Sequence, residues 1–338
     1  MDKGGNKLKK IIPIIIIGLL SVILITGYSK NENDSIVLRF AYASNSQPVK
    51  DAMAEFGKLL YEKTNGEVTV EYFPDSQLGG ERELIELTQT GAVDITKVSG
   101  SALESFSNQY SIFGLPYLFD NEEHFYRVMD SDLVKPIYQS TEQLGFIGLT
   151  YYDSGQRSFY MTEGPIEKPA DLKGKKIRVM QSQTAIKMVQ LLGGSPTPMD
   201  SGEVYTSLQQ GILDGAENNE FAITEAGHGE VAKYYSYDEH TRVPDIMVIN
   251  KETLEGLTKD QQEAVYEAAR ESTEFEKVVW KDAVDQAKER SENEFNVIFN
   301  EVDKEPFQEA VQPLHDEFAK NETFKQLYEE IMKMKENK

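Results

Sequence analysis

Two arginines and a pair of amides are the side chains in this sequence best suited to holding an organic anion. Arg157 closes the segment Tyr151-Tyr152-Asp153-Ser154-Gly155-Gln156-Arg157, just after an alternating strand pattern. Arg178 lies inside another strand pattern, between apolar Ile177 and Val179. A guanidinium fork grips a carboxylate through two parallel hydrogen bonds and stays charged at any working pH. Positions just past strand ends are where α/β folds collect ligands. A basic surface strand has the same spacing, so these two residues leave both readings open. Downstream, Asn218 and Asn219 end the run Gln210-Gly211-Ile212-Leu213-Asp214-Gly215-Ala216-Glu217-Asn218-Asn219. An amide both donates and accepts, as a hydroxyl-rich ligand requires; turn formation is the commoner use of such asparagines. Gln47 and Glu81, near turns in the first third of the chain, are further candidates for contact with ligand hydroxyls.

Nothing comparable points to catalysis. His124, His228, His240 and His315 fall at no metal-binding spacing, and neither a nucleophile elbow nor a phosphate-binding loop is present. Asp and Glu total 57, so any chosen carboxylate pair says little about acid and base roles. With no cysteine, the chain has neither disulfides nor thiolate ligands nor a cysteine nucleophile. The expectation is a binding protein with no cofactor and no metal.

The elements that would position these groups can be read from periodicity. Ile36–Tyr42 and Glu67–Phe73 alternate as strands around a helix that Pro48 opens and Asn65-Gly66 ends. A helix around Leu84, Ile85 and Leu87 and a strand from Ala92 to Val98 complete a βαβαβ run. Strand patterns return at Phe146–Tyr152, Lys175–Val179, Leu213–Ala216 and Ile246–Asn250, which argues for an α/β fold with mostly parallel strands. From Thr258 the pattern changes. Thr258 and Gln261 fit a capping box, and no Gly or Pro interrupts Lys259 to about Phe295. A helix of that length spans about 50 Å, enough to cross two lobes and couple them; a solvated charged helix is the alternative. Val297–Phe299 reads as a last strand. Phe307, Val311, Leu314 and Phe318 stand at helical spacing, as if to pack back on the second lobe.

The leading segment is different in kind. Lys3, Lys7, Lys9 and Lys10 precede an apolar run from Ile11 to Ile25, short for a membrane span and suited to an export signal; an uncleaved anchor through residues 11–25 is the other reading. Setting aside its five lysines and one aspartate takes the formal net charge from −22 to about −26, which disfavours nucleic acid as a partner. Such acidity also repels anionic ligands unless basic groups gather in a cleft.

Taken together the motifs resemble the solute-binding proteins of TRAP (tripartite ATP-independent periplasmic) transporters over residues 36 to 330. The resemblance is carried by Gln77-Leu78-Gly79-Gly80-Glu81-Arg82, Leu115-Pro116-Tyr117-Leu118-Phe119, Asp171-Leu172-Lys173-Gly174-Lys175-Lys176-Ile177-Arg178-Val179, Pro196-Thr197-Pro198-Met199, Glu203-Val204-Tyr205 and Asp214-Gly215-Ala216-Glu217-Asn218. It implies a two-lobed, periplasmic-binding-protein-like fold of type II-like form, with a long helix spanning both lobes. The implied division is a signal or anchor segment at 1–30, a first lobe from 36–154 plus 244–283, and a second from 155–243 plus 284–338. It also implies that Arg178 forms the main carboxylate salt bridge, assisted by Arg157 and Asn218.

Within that family the stretch through Asn219, with Lys233-Tyr234-Tyr235-Ser236 and Glu239-His240-Thr241, is similar to the branch that binds hexuronates and related sugar acids. The implied partners are a small sugar acid and the membrane subunits of a TRAP permease, with the chain acting as a monomer outside the cytoplasmic membrane. Three positions depart from the pattern: Tyr28 where a lipid-accepting cysteine would stand, Asn219 where many members have proline, and Ser201 where an aromatic often faces the ligand. A receptor that reports its ligand to a sensor kinase and a secreted carbohydrate-active hydrolase are the competing readings.

Overall fold

A computed structural model describes residues 35–43 and 46–335. The signal-like segment and Tyr28 lie outside the described residues. Val37–Lys338 forms one compact unit.

Two mixed sheets form the frame of that unit. The first contains β1 (Ile36–Tyr42), β2 (Val68–Phe73), β3 (Ile95–Ser99), β4 (Phe146–Tyr152) and β10 (Asp245–Asn250), in the order β2-β1-β3-β10-β4. The second contains β5 (Arg157–Met161), β6 (Lys176–Val179), β7 (Ser195–Pro198), β8 (Gly215–Asn218), β9 (Tyr234–Thr241) and β11 (Ile298–Glu301), in the order β11-β9-β5-β8-β6-β7. The mostly parallel arrangement expected from the sequence holds for β1 beside β3 and for β6 between β7 and β8. It fails for β10, antiparallel to β3 and β4, and for β5, antiparallel to β8 and β9. The reason is topological. At β4 to β5 and at β9 to β10 the chain runs directly from one sheet into the other, with no crossover helix to bring it round parallel.

These two crossings are tied together. Arg242, between β9 and β10, donates from Nε to Oδ1 of Asp153 at 3.0 Å and from its Nη2 to Oδ2 of the same carboxylate. Asp153, between β4 and β5, also accepts from the Gly155 N–H at 2.9 Å and from the Tyr126 hydroxyl at 2.8 Å. Gly155 has φ +65°, and a Cβ there would come 2.9 Å from the Trp280 ring, so the turn admits only glycine without displacing the chain's one tryptophan.

The helix Lys259–Phe295 begins where the sequence places it. Thr258 Oγ1 accepts from the Gln261 N–H, and Gln261 Oε1 accepts in return from the Thr258 N–H. Over its 37 residues the helix covers about 55 Å. Its first half packs Val265, Ala268 and Ala269 with Phe56 and Leu60 of the helix Gln47–Lys63 over the first sheet. Its last residue, Phe295, accepts through its carbonyl from Lys233 at 2.8 Å, beside the second sheet. The C-terminal helices touch more than the second sheet. Phe307, Val311, Leu314 and Phe318 of Glu305–Lys320 join a core that also holds Phe125 and Tyr151, and His124 bonds the Ile331 carbonyl at 3.0 Å.

Candidate functional site

A cavity of about 310 Å³ opens between the sheets, at the lower end of the range of small-molecule sites. Glu81, Lys97 and Ser99 line it from the first sheet's side; Arg157, Arg178 and Asn218 line it from the second. Of the six residues singled out in the sequence, Asn219 also lines it and Gln47 does not. The Gln47 side chain is exposed and donates to Asp51 at 2.7 Å, while its backbone N–H reaches the Glu225 carboxylate at the cavity rim at 3.0 Å.

Arg157 opens β5 and lies against the end of β8. Its Nε and Nη2 donate to the two carboxylate oxygens of Glu217, at 2.5 and 3.1 Å, and Nη1 donates to Asn218 Oδ1 at 2.7 Å. Its charge is therefore already matched by a buried carboxylate. Strand β8 approaches β5 closely enough for this because residue 215 is glycine, where a Cβ would sit 2.6 Å from the Tyr160 carbonyl oxygen. Asn218 spends its Oδ1 on Arg157 and on the Asn219 N–H at 2.9 Å, leaving Nδ2 without a protein acceptor among the described residues. Asn219 is committed to local structure: Nδ2 donates to the Ser154 carbonyl at 2.7 Å, and Oδ1 accepts from the Phe221 N–H at 3.1 Å as the cap of the helix Glu220–Thr224.

Arg178 is different. It is 6% exposed, and its only protein partner among the described residues is the Met199 carbonyl, bonded from Nε at 3.0 Å and Nη2 at 2.8 Å. No carboxylate lies within ion-pair distance of it among the described residues. Burial lowers its pKa, with the nearby Arg157 charge acting the same way against the pull of Glu217. An arginine does not shed its proton under such pressure, so the site holds a buried cation that needs an anion. Lys97 is not in this position, because it is paired at 2.7 Å with Asp245, both of them buried.

Behind Arg157 stands a charge chain that periodicity gave no sign of. His240 Nδ1 lies 2.7 Å from Asp238, and Nε2 lies 3.4 Å from Glu217. Burial alone would lower the His240 pKa, but the two carboxylates outweigh it and raise it to about 9. Burial likewise raises the Glu217 carboxyl, and Arg157 with His240 overrides that to hold it at about 2. His228, which bonds the Tyr160 hydroxyl at 2.7 Å and lines the cavity, goes the other way: burial and then Arg178 depress it to about 4, so it is neutral. For His240 the folded-state pKa lies above the unfolded one. The stability it contributes is therefore complete below about pH 6.5 and is lost as pH rises through about 9. Thermal melts across that window are expected to show the melting temperature falling in the native chain, with a smaller slope in His240→Gln. Equal slopes would rule out a charged His240.

The fold and the site together point to the class of the molecule: an α/β solute-binding protein with a cavity between two sheets. The family model for bacterial extracellular solute-binding proteins of family 7, DctP, matches residues 40–321, and the chain belongs to that family. It is 55% identical over 320 residues to a Salmonella typhimurium protein carried under the name uncharacterized protein YiiZ, covering 94% of this chain and 98% of that one. Among solved structures it is similar to a TRAP periplasmic solute-binding protein from Anaerococcus prevotii with bound α/β-D-glucuronate. The identity is 42%, the TM-score 0.86, and the match covers 89% of this chain and 99% of that one. A TRAP periplasmic solute-binding protein from Xanthobacter autotrophicus with bound β-D-galacturonate is 37% identical, with a TM-score of 0.83 and coverage of 87% and 98%.

Proposed function

We propose that this chain captures a hexuronate or a closely related sugar acid and hands it to the membrane subunits of a TRAP permease. The observation that carries this is Arg178, a buried guanidinium with a carbonyl but, among the described residues, no carboxylate for a partner. A ligand carboxylate there completes a charge-assisted pair in a site shielded from water, which is worth far more than a surface ion pair. The Asn218 Nδ2 group, on the same cavity wall and without a protein acceptor among the described residues, can donate to the same carboxylate or to a ring hydroxyl. Similar proteins solved with glucuronate and galacturonate support this choice of ligand.

The remaining expectations rest on the same reading. The two sheets correspond to two lobes that close on the ligand about the β4–β5 and β9–β10 crossings and the long helix, with lobe closure of the hinge type. Residues 1–30 export the chain, which acts outside the cytoplasmic membrane, as a monomer and without turnover of its ligand. No described helix is long and apolar enough to cross a membrane. The test is a panel of ligand-induced melting shifts on the purified protein: D-glucuronate, D-galacturonate, D-glucose and a C4-dicarboxylate. A clear upward shift with a uronate and none with glucose is the expected result. A shift with the dicarboxylate alone would replace the sugar acid, and shifts with no acid at all would overturn carboxylate capture.

A further inference from the structure

The cavity's charges are unevenly matched, and the mismatch restricts the ligand further. On its cationic side, Arg157 is paired with Glu217 and Lys97 with Asp245, leaving Arg178 as the one lining cation that is buried and has no carboxylate partner among the described residues. Three acids that also line the cavity, Glu81, Asp200 and Glu225, have no cation within ion-pair distance among the described residues, and Glu225 already accepts from the Gln47 N–H at the rim. Glu81 accepts from the Ser99 N–H at 2.8 Å through Oε1, and Oε2 has no protein donor among the described residues. Burial raises its carboxyl, with Asp245 adding to the effect and Lys97 opposing it. Asp200 makes no side-chain cap hydrogen bond, although it stands at the cap position of the helix Ser201–Gln209. It faces the first sheet's side across the cavity edge, where a Cβ on Gly80 would lie 3.1 Å from its carboxylate and 3.0 Å from that of Glu83. Burial raises Asp200 too, followed by Glu83 and Glu203.

From this we infer that Glu81 and Asp200 make the site a monoanion filter: it accepts an acid with one carboxylate, seated on Arg178, and rejects acids that carry a second. The inference rests on the sugar-acid reading above. Both acids offer acceptor oxygens to ligand hydroxyls, which are donors, so a polyhydroxy monoanion satisfies them. A second ligand carboxylate has nothing to donate and meets like charge in a partly desolvated cleft. The charge of Lys97 is already matched by Asp245, so a second carboxylate beside it would add an uncompensated negative charge.

Calorimetric titration with D-glucuronate, D-gluconate and D-glucarate tests the filter on the native protein; the last two share a carbon chain and differ by one carboxylate. The filter predicts glucarate binding at least about 100-fold weaker than glucuronate, with gluconate between them. It predicts that Asp200→Asn and Glu81→Gln each narrow the glucuronate-to-glucarate ratio by about tenfold, in variants whose melts show an intact fold. Glucarate within tenfold of glucuronate overturns it, as does a ratio the variants leave unchanged. Binding of both acids equally would sink the filter and leave the sugar-acid reading standing, whereas binding of neither glucuronate nor gluconate would sink both.

Discussion

Replacing Arg178 with alanine is expected to weaken uronate binding by about 2 to 5 kcal/mol, a loss of roughly 30-fold to several thousandfold. The size reflects burial. The guanidinium is 6% exposed and, among the described residues, bonded only to the Met199 carbonyl, so a bound carboxylate faces a cation that water barely screens. Removing it leaves the ligand's charge in a cleft whose other buried cations are already paired with Glu217 and Asp245. The substitution also relieves the free protein of an uncompensated buried charge, so the unliganded variant is expected to melt no lower than the native chain. Loss of affinity without loss of stability separates an anchoring role from a structural one. Arg178→Lys, a point charge without the fork, is expected to recover only part of the loss. Isothermal titration and melts on the same preparations read both quantities.

The second large effect is expected at Arg157, with the opposite balance. Arg157→Ala strands the Glu217 carboxylate among His240, Asp238 and the β5–β8 backbone, and is expected to cost about 3 to 5 kcal/mol of folding stability. His240 lessens the loss by remaining a counter-ion, which is why the cost is not larger. A double variant, Arg157→Met with Glu217→Leu, removes both charges and is expected to recover most of the stability, because apolar replacements of a buried ion pair are often neutral. Binding is not expected to recover with it, since Asn218 then loses the Nη1 donor that orients its amide toward the cavity. Denaturant melts of the single and double variants decide this. A single variant as stable as the native chain would mean that Glu217 is protonated or solvated rather than clamped.

How much of this could be read from the sequence depends on how local each feature is. The long helix could be read because Thr258 and Gln261 announce it and nothing breaks it before Phe295. Strands β1 and β4 begin and end where alternation places them. Arg178 stood out because a charge between Ile177 and Val179 in a short strand calls for a partner, although the absence of one is visible only in three dimensions. The charge chain behind Arg157 was hidden for a specific reason. Asp238, Glu239 and His240 form a polar run that reads as surface, yet β9 pairs with β5 through an irregular register, with Glu239 at φ 46°, that buries Asp238 and His240. Lys97 and Asp245 are 148 residues apart, and only the pairing of β3 with β10 brings them together. Asn219 shows the reverse case, where a residue chosen for its amide lines the cavity but spends that amide on capping a helix. A polar residue after a strand becomes a cap or a ligand contact depending on whether a helix starts next, and Glu220–Thr224 is too short for its helical periodicity to be detected.

The central claim is that Arg178 holds the carboxylate of a sugar acid, and a crystal structure of the protein grown with D-glucuronate tests it most directly. The expected result is one carboxylate lying against the Arg178 guanidinium at charge-assisted hydrogen-bond distance, about 2.7 to 2.9 Å, with the sugar hydroxyls turned toward Glu81 and Asp200. A ligand seated with its carboxylate on Lys97 or Arg82, and Arg178 still bonded to the Met199 carbonyl alone, would contradict it.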